Sequence, residues 1–296
     1  RKLILDDCTL KVIVDYQNMP FDNAIVENVT LIYSKIKLKD YSVKILKGVT
    51  DAVSEYKMIP VEQFLTAKNY AFNINSNDFI EKLFEETAPL AKLCNINQAI
   101  ALKGDKSLSL RDSYKSGYYK LLDGRNINKY TINWSGVYLD YDVDRIHSCK
   151  KKDIFECEEK LLFRRVSSKL IFTYDNEKYF ALNTLVVVTF KTEQDYSIKY
   201  LLALLNSKLM NYIYTNKFKS TKTVFSEIQA RSVGELPIRI SDSYGAFVEK
   251  VDEILKVKKA DNAADTSIIE SEIDQMVYEL YDLTEDEIKI VEESIK

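Results

Sequence analysis

Apolar residues, many of them β-branched, dominate Thr9-Leu10-Lys11-Val12-Ile13-Val14-Asp15-Tyr16 and again the stretch from Val26 to Tyr33. The turn-rich segment Gln17 to Asn23 separates these β-branched runs, so they predict paired strands. A third short run, Tyr41 to Leu46, closes the block, which is too small to bury a core and is expected to draw further strands from elsewhere in a longer parent chain. Asp78 to Ala88 sets Phe79, Ile80, Leu83 and Phe84 on one side of a helix that Pro89 interrupts. Four strands are then predicted at Leu161 to Val166, Leu170 to Tyr174, Tyr179 to Leu182 and Thr184 to Phe190. The second and third are expected to form a hairpin through Asp175-Asn176-Glu177, within an antiparallel sheet.

Ser197 caps a predicted helix whose wide apolar face, Leu201, Leu202, Leu205, Leu209, Tyr212 and Ile213, belongs in a core. The tail reads as helical. Phe247, Val251, Ile254 and Leu255 share one face, Ile269, Ile273, Met276, Val277 and Leu280 another, and Thr284 to Glu287 is an S/T-x-x-E capping box. The pattern predicts an α+β fold with a mixed or antiparallel sheet, packed helices and a helical tail. The expected boundaries divide residues 1–47, 48–240 and 241–296.

Charge changes this picture. Residues 100–240 hold 24 Lys and Arg against 16 Asp and Glu, residues 241–296 hold 6 against 16, and residues 1–99 hold 12 against 13. A formal net charge of −3 therefore conceals a basic, tyrosine-rich middle followed by an acidic tail, a pattern suited to a polyanion such as nucleic acid. The acidic outer faces of the tail are expected to keep that end away from phosphate. No run of eighteen apolar residues is present and no secretory signal opens the chain, so a soluble, cytoplasmic protein is expected. The chain opens on arginine without an initiator methionine and reads as a piece of something longer. Cys8, Cys94, Cys149 and Cys157 include no C-x-x-C pair, and His147, Cys149 and Cys157 lack a fourth ligand for zinc; reduced thiols and no metal are expected.

Six segments in order carry a resemblance. Leu121 to Tyr130 contains a G-R-x-I-x-x-Y element, Lys160 to Arg165 a basic strand, and Ala181 to Thr184 and Leu204 to Leu209 follow, then Glu235 to Ile238 and Ile273 to Tyr281. Together they resemble the C-terminal half of bacterial N6-adenine DNA methyltransferases of the type II restriction-modification kind, with their Taq-like specificity domain. Arg1-Lys2, Val12 to Tyr16, Phe21 and the strand around Thr30 are similar to the last two strands of that family's α/β catalytic fold. One departure is visible: where the family has a glycine-rich stretch, Asn97 to Gly104 retains only Gly104.

The resemblance implies target recognition on double-stranded DNA, with an upstream catalytic domain of the same parent chain as partner and S-adenosylmethionine as the parent's cofactor. This chain has no glycine turn for that cofactor and no N-P-P-Y sequence; its prolines are Pro20, Pro60, Pro89 and Pro237. No catalytic or cofactor-binding residue is expected within it. The DNA contacts implied are Arg111, Lys115, Tyr118, Lys120, Arg125 and Lys129, interleaved with Tyr114, Tyr119 and Tyr130, then Arg164, Arg165, Lys217, Lys219 and Lys222. Arg164 and Arg165 are adjacent on a strand and so point to opposite faces, one toward DNA or solvent and the other toward an internal partner.

Two other classes remain open in the sequence. Asp153, Glu158 and Lys160 form an E-x-K with an acid nearby, the minimum for a metal-dependent restriction nuclease. Residues 243–295 could instead dock on another subunit of a restriction-modification complex as an interaction module.

Overall fold

The computed structural model describes residues 1–16, 28–49, 52–74, 78–218 and 227–294. They fall into two compact units, one within residues 1–74 and the other within 78–294.

In the first unit, helix α1 (Lys2–Asp7) leads into β1 (Thr9–Tyr16), β2 (Val29–Ser34), β3 (Ser42–Val49), β4 (Ala52–Pro60) and α2 (Val61–Thr66). The sheet order is β2-β1-β3-β4, with β1 antiparallel to β2 and parallel to β3, and β3 antiparallel to β4. The predicted turn at Gln17 to Asn23 and the start of the Val26 run lie outside the described residues. Strand β4 was not legible, because Ser54, Glu55 and Lys57 hide its alternation. It completes a sheet that the first three runs alone could not, and the expected boundary after residue 47 falls inside β3. Leu5, Leu10, Ile13, Val43, Ile45, Ile59, Val61 and Phe64 form a core on one side of the sheet, covered by the two helices. Ile32 and Met58 stay about half exposed on the outer strands.

The second unit begins with α3 (Asp78–Lys82), shorter than the predicted helix because Ala88–Pro89 is taken up in pairing with Pro237–Ile238. Strands β5 (Cys94–Gln98), β6 (Leu110–Arg111), β7 (Tyr118–Leu122), β8 (Ile127–Asn128), β9 (Thr131–Ile132) and β10 (Tyr138–Asp140) follow, then α4 (Asp153–Glu156). Next come β11 (Lys160–Arg164), β12 (Phe172–Asp175), β13 (Phe180–Ala181) and β14 (Leu185–Phe190). The chain ends in α5 (Ile198–Asn206), α6 (Lys208–Ile213), α7 (Tyr244–Ala260), α8 (Ser267–Leu280) and α9 (Glu285–Ser294).

An antiparallel sheet of order β12-β11-β14-β5 divides this unit into two layers. Leu161, Phe163, Phe172, Val186 and Val188 face the larger core with the helices, whereas Leu162, Leu185 and Val187 face a second core with Leu121, Leu139, Phe155 and Phe180. Both faces are covered, which is why these strands read as unbroken apolar runs. The hairpin expected through residues 175–177 does not form. Strand β12 pairs with β11, but β13 leaves for the second sheet, where it lies parallel to β7. The Asp175 carboxylate turns the chain by accepting the backbone amides of Glu177 at 2.8 Å and Tyr179 at 3.1 Å.

The predicted helix after Ser197 is capped as expected, the Lys199 amide donating to Ser197 Oγ at 3.2 Å. It breaks at Ser207, whose hydroxyl caps α6 by accepting the Met210 amide. Just before the break, Asn206 acts as a false strand: its Oδ1 accepts the Phe172 amide at 2.9 Å and its Nδ2 donates to the Phe172 carbonyl at 3.0 Å. This pairing satisfies the free edge of β12 inside the core. Asn206→Ala is expected to lower stability by about 1–3 kcal/mol, because it leaves the buried Phe172 amide unpaired while the Phe172 carbonyl keeps the Tyr130 amide at 3.1 Å; the shift of a urea midpoint measures it.

The tail follows its sequence pattern. Phe247, Val251, Ile254, Ile273 and Val277 are buried in the larger core. The capping box forms, with the Thr284 amide donating to Glu287 Oε2 at 2.8 Å and the Glu287 amide to Thr284 Oγ1 at 3.4 Å. The apolar stripes that suggested a docking module are thus consumed within this unit.

Candidate nucleic-acid interface

The second sheet, of order β13-β7-β10-β6, presents one face to its core and the other outward. Tyr138 on β10 lies opposite Lys120 on β7 and opposite Arg111 on β6, so these three side chains form one row across the outer face. Asp140, opposite Tyr118, forms the next row on the same face. Tyr119, Leu121 and Leu139 point the other way, and the Tyr119 ring packs on Phe180 with centroids 4.1 Å apart. Tyr119, grouped by sequence with the contact tyrosines, is therefore a support residue. Its hydroxyl accepts a hydrogen bond from Lys152 at 2.8 Å, which raises the Lys152 pKa.

Aromatic rings surround the outer row. Trp134 meets Tyr138 edge-on with centroids 5.0 Å apart, and the strongly exposed Tyr114 lies 5.7 Å from the same ring. Lys120 Nζ sits 5.4 Å from the Trp134 ring and 5.2 Å from Tyr179, while the Arg111 guanidinium lies 5.8 Å from Tyr118. Each cation also holds a carboxylate: Lys120 with Glu177 at 3.0 Å, and Arg111 with Asp140 at 2.8 Å. The bond from Lys120 holds the Glu177 carboxyl below the usual carboxylate range. Lys120 and Glu177 remain 41% and 52% exposed, so solvent screens this pair strongly. Lys115 is exposed and has no ion pair among the described residues.

The other predicted cations among the described residues lie elsewhere and hold specific partners. Arg125 is 91% exposed and grips Asp123 at 2.7 Å, lowering that carboxyl's pKa. Lys129 binds Glu270 on α8 at 2.8 Å, so the acidic tail neutralises part of the basic region. Arg164 donates to the Ile127 carbonyl and to Asn128 Oδ1, and Arg165 binds Glu227 at 2.7 Å and the Asn183 carbonyl at 3.2 Å. Both arginines hold partners within the chain, where the sequence suggested that one would face DNA or solvent; Glu227 itself is about half exposed. Lys217 binds Glu81 at 2.8 Å with only 14% of its side chain exposed. Lys219 and Lys222 lie outside the described residues.

The G-R-x-I-x-x-Y element has an architectural explanation. The Gly124 amide donates to Thr184 Oγ1 at 2.9 Å, and a Cβ at Gly124 would lie 3.4 Å from the Thr184 carbonyl oxygen. Asp123 and Asn126 close a reciprocal capping box around it. Ile127 then enters the second core and Tyr130, at φ +60°, the larger one. The element fastens the two layers together and so fixes where β7 lies.

The nuclease constellation does not assemble. Lys160 is fully buried, bonded to Asp175 Oδ2 at 2.7 Å and to the Phe155 carbonyl at 2.7 Å. No group of three or more metal-ligating side chains occurs among the described residues. Trp134, Tyr138, Asp140 and Glu177 were not singled out as site residues; the alternation Tyr138-Leu139-Asp140 was the signal that could have placed two of them on one strand face.

Most of this sheet, all but β6 and the start of β7, lies within the stretch that a known family model covers. Residues 119–238 match the TaqI-like C-terminal specificity domain. The match to this specificity domain begins inside β7 and ends at Ile238, so it includes the α5–α6 pair and every strand of the two sheets except β5 and β6. Among solved structures, the Type IIL restriction-modification enzyme MmeI in complex with DNA has the same fold over 94% of this chain at 10% identity, with a TM-score of 0.52. The type IIG restriction endonuclease BpuSI aligns over 95% of the chain at 12% identity with a TM-score of 0.43. The HsdS subunit from Thermoanaerobacter tengcongensis aligns over 69% at 11% identity with a TM-score of 0.35. The chain spans 44%, 44% and 49% of those three proteins respectively. No curated protein matches the sequence. Among the described residues, no helix is long and apolar enough to cross a membrane.

Proposed function

We propose that this chain recognises double-stranded DNA as the target-recognition half of a restriction-modification N6-adenine DNA methyltransferase. The observation that carries the reading is the match of residues 119–238 to a specificity domain. The row Arg111–Tyr138–Lys120 supplies a surface of the right chemistry within or beside that stretch. An adenine amino group is out of a cofactor's reach inside the base stack, so the base must be flipped, and a separate element must choose the site. Choosing requires donors and acceptors at base edges in the major groove, while other cations fix register on phosphates.

On this reading the partner is an upstream catalytic domain that uses S-adenosylmethionine. Strand β2 lies at the edge of its sheet with Val29, Ile32 and Tyr33 exposed, and it offers a place for a further strand. The codons upstream of Arg1 test this part: a nucleotide-binding glycine turn and an N-P-P-Y stretch are expected there.

Duplex binding by the chain itself tests the rest. If about six phosphates are neutralised, log K should fall against log salt with a slope of about −5. Fluorescence anisotropy with a labelled duplex across a salt series measures it, and a flat response or no binding at low salt overturns the reading.

A further inference from the structure

Granted the duplex binding proposed above, we infer that Glu177 and Asp140 are internal stand-ins for DNA phosphates: they hold Lys120 and Arg111 in place on the outer sheet face and yield them to the backbone on binding. The geometry that carries this is the conjunction of three features at one row. Lys120 is fixed by contacts that survive loss of its carboxylate, the Trp134 and Tyr179 rings at 5.4 and 5.2 Å. Arg111 likewise keeps the Leu110 carbonyl at 2.8 Å and the Tyr118 ring. Glu177 reaches the row from the turn after β12 and Asp140 from the next row of the same face, and both ion pairs remain open to water.

Such pairs differ from the buried one between Lys160 and Asp175, where no outside anion can compete. An exposed carboxylate competes weakly, since a screened pair of this kind changes an equilibrium by about twofold to fivefold. A polyanion with condensed counterions gains more from the same cation. Glu177 therefore costs some affinity, and in return Lys120 meets DNA already oriented.

The exchange has an ionic signature. When a phosphate takes Lys120, DNA releases a condensed cation, but the freed Glu177 attracts one from solution, so the net release is smaller than the number of contacts. Removing the carboxylate abolishes that uptake. Glu177→Gln is expected to tighten binding to a random-sequence duplex by about twofold to fivefold at low salt. It should also steepen the slope of log K against log salt by up to about 0.9. Lys120→Gln should weaken binding and flatten the slope by less than about 0.9, because it removes the release and the uptake together; in the Glu177→Gln background the same change should flatten it by the full amount, about 0.9. Asp140→Asn should act in the same sense as Glu177→Gln. In the Lys120→Gln background, Glu177→Gln should have almost no effect, which separates exchange from a general gain in positive charge.

If Glu177→Gln and Asp140→Asn leave affinity and slope unchanged, or weaken binding while the wild type binds with a steep slope, the carboxylates are only braces and the inference fails alone. A Glu177→Gln effect equally large without Lys120 also overturns it. A wild-type chain that does not bind duplex removes the proposed function and this inference together.

Discussion

Lys160→Met is expected to destabilise the second unit by about 3–5 kcal/mol, the usual consequence of removing one partner from a buried ion pair. Both side chains are fully enclosed, and the substitution leaves Asp175 facing the core with two amide donors and no cation. Burial already raises the Asp175 carboxyl above its usual range, against the pull of Lys160 and the two amides. Without Lys160 that rise must grow. A carboxyl whose folded value lies above its unfolded one is a burden at pH above the folded value, and the burden lifts as pH falls toward the ordinary carboxylate range near about 4. The loss in Lys160→Met should therefore be largest at neutral pH and smaller under mildly acid conditions. The double variant K160M/D175N should regain about 1–3 kcal/mol at neutral pH, because no bare charge stays buried while one amide acceptor is kept. Trp134 is the chain's sole tryptophan and lies in this unit, so its fluorescence in a urea titration follows the transition. Equal stability of Lys160→Met and wild type at neutral pH would show that the pair is not structural.

Phe180→Ala is expected to cost about 3–5 kcal/mol through the cavity it opens, and to weaken DNA binding as well. Phe180 stacks on Phe155 with centroids 4.8 Å apart, packs on Tyr119 at 4.1 Å, and meets Tyr141 at 5.8 Å. It lies on the two-residue strand that borders β7, opposite Leu121, so it supports from below the strand whose outward residue is Lys120. Loss of this ring should loosen β7 and spread the Arg111–Tyr138–Lys120 row. A urea midpoint and duplex anisotropy measure the two effects. A destabilised variant that still binds duplex with wild-type affinity and salt slope would place the DNA contacts elsewhere on the molecule.

Much of this fold was legible because local pattern and burial agree. Leu161 to Phe163 and Leu185 to Val188 are apolar without interruption and became central strands; the stripe from Leu201 to Ile213 became core helices; Thr284 and Glu287 capped the last helix. These features depend on residues a few positions apart, and periodicity reports them directly. Strand β4 and the departure of β13 from the expected hairpin were not legible. The first hides behind exposed charge, and the second depends on a carboxylate turned inward by a lysine fifteen residues earlier.

The candidate site divides the same way. Sequence alone located the basic, aromatic-rich stretch from Arg111 to Trp134 and the segments that resemble a specificity domain, since composition and order of motifs are properties of the chain itself. It could not say which cations are free to meet DNA. Lys120 finds Glu177 57 residues away, Lys217 finds Glu81 across 136 residues, and Lys129 finds Glu270 across 141. Charge along a sequence sums over every lysine and carboxylate, but availability depends on which of them the fold brings within hydrogen-bonding reach. Only tertiary packing decided that Lys160 is a buried brace and that Arg111, Tyr138 and Lys120 stand side by side, because strand register places residues on one face that the sequence leaves far apart.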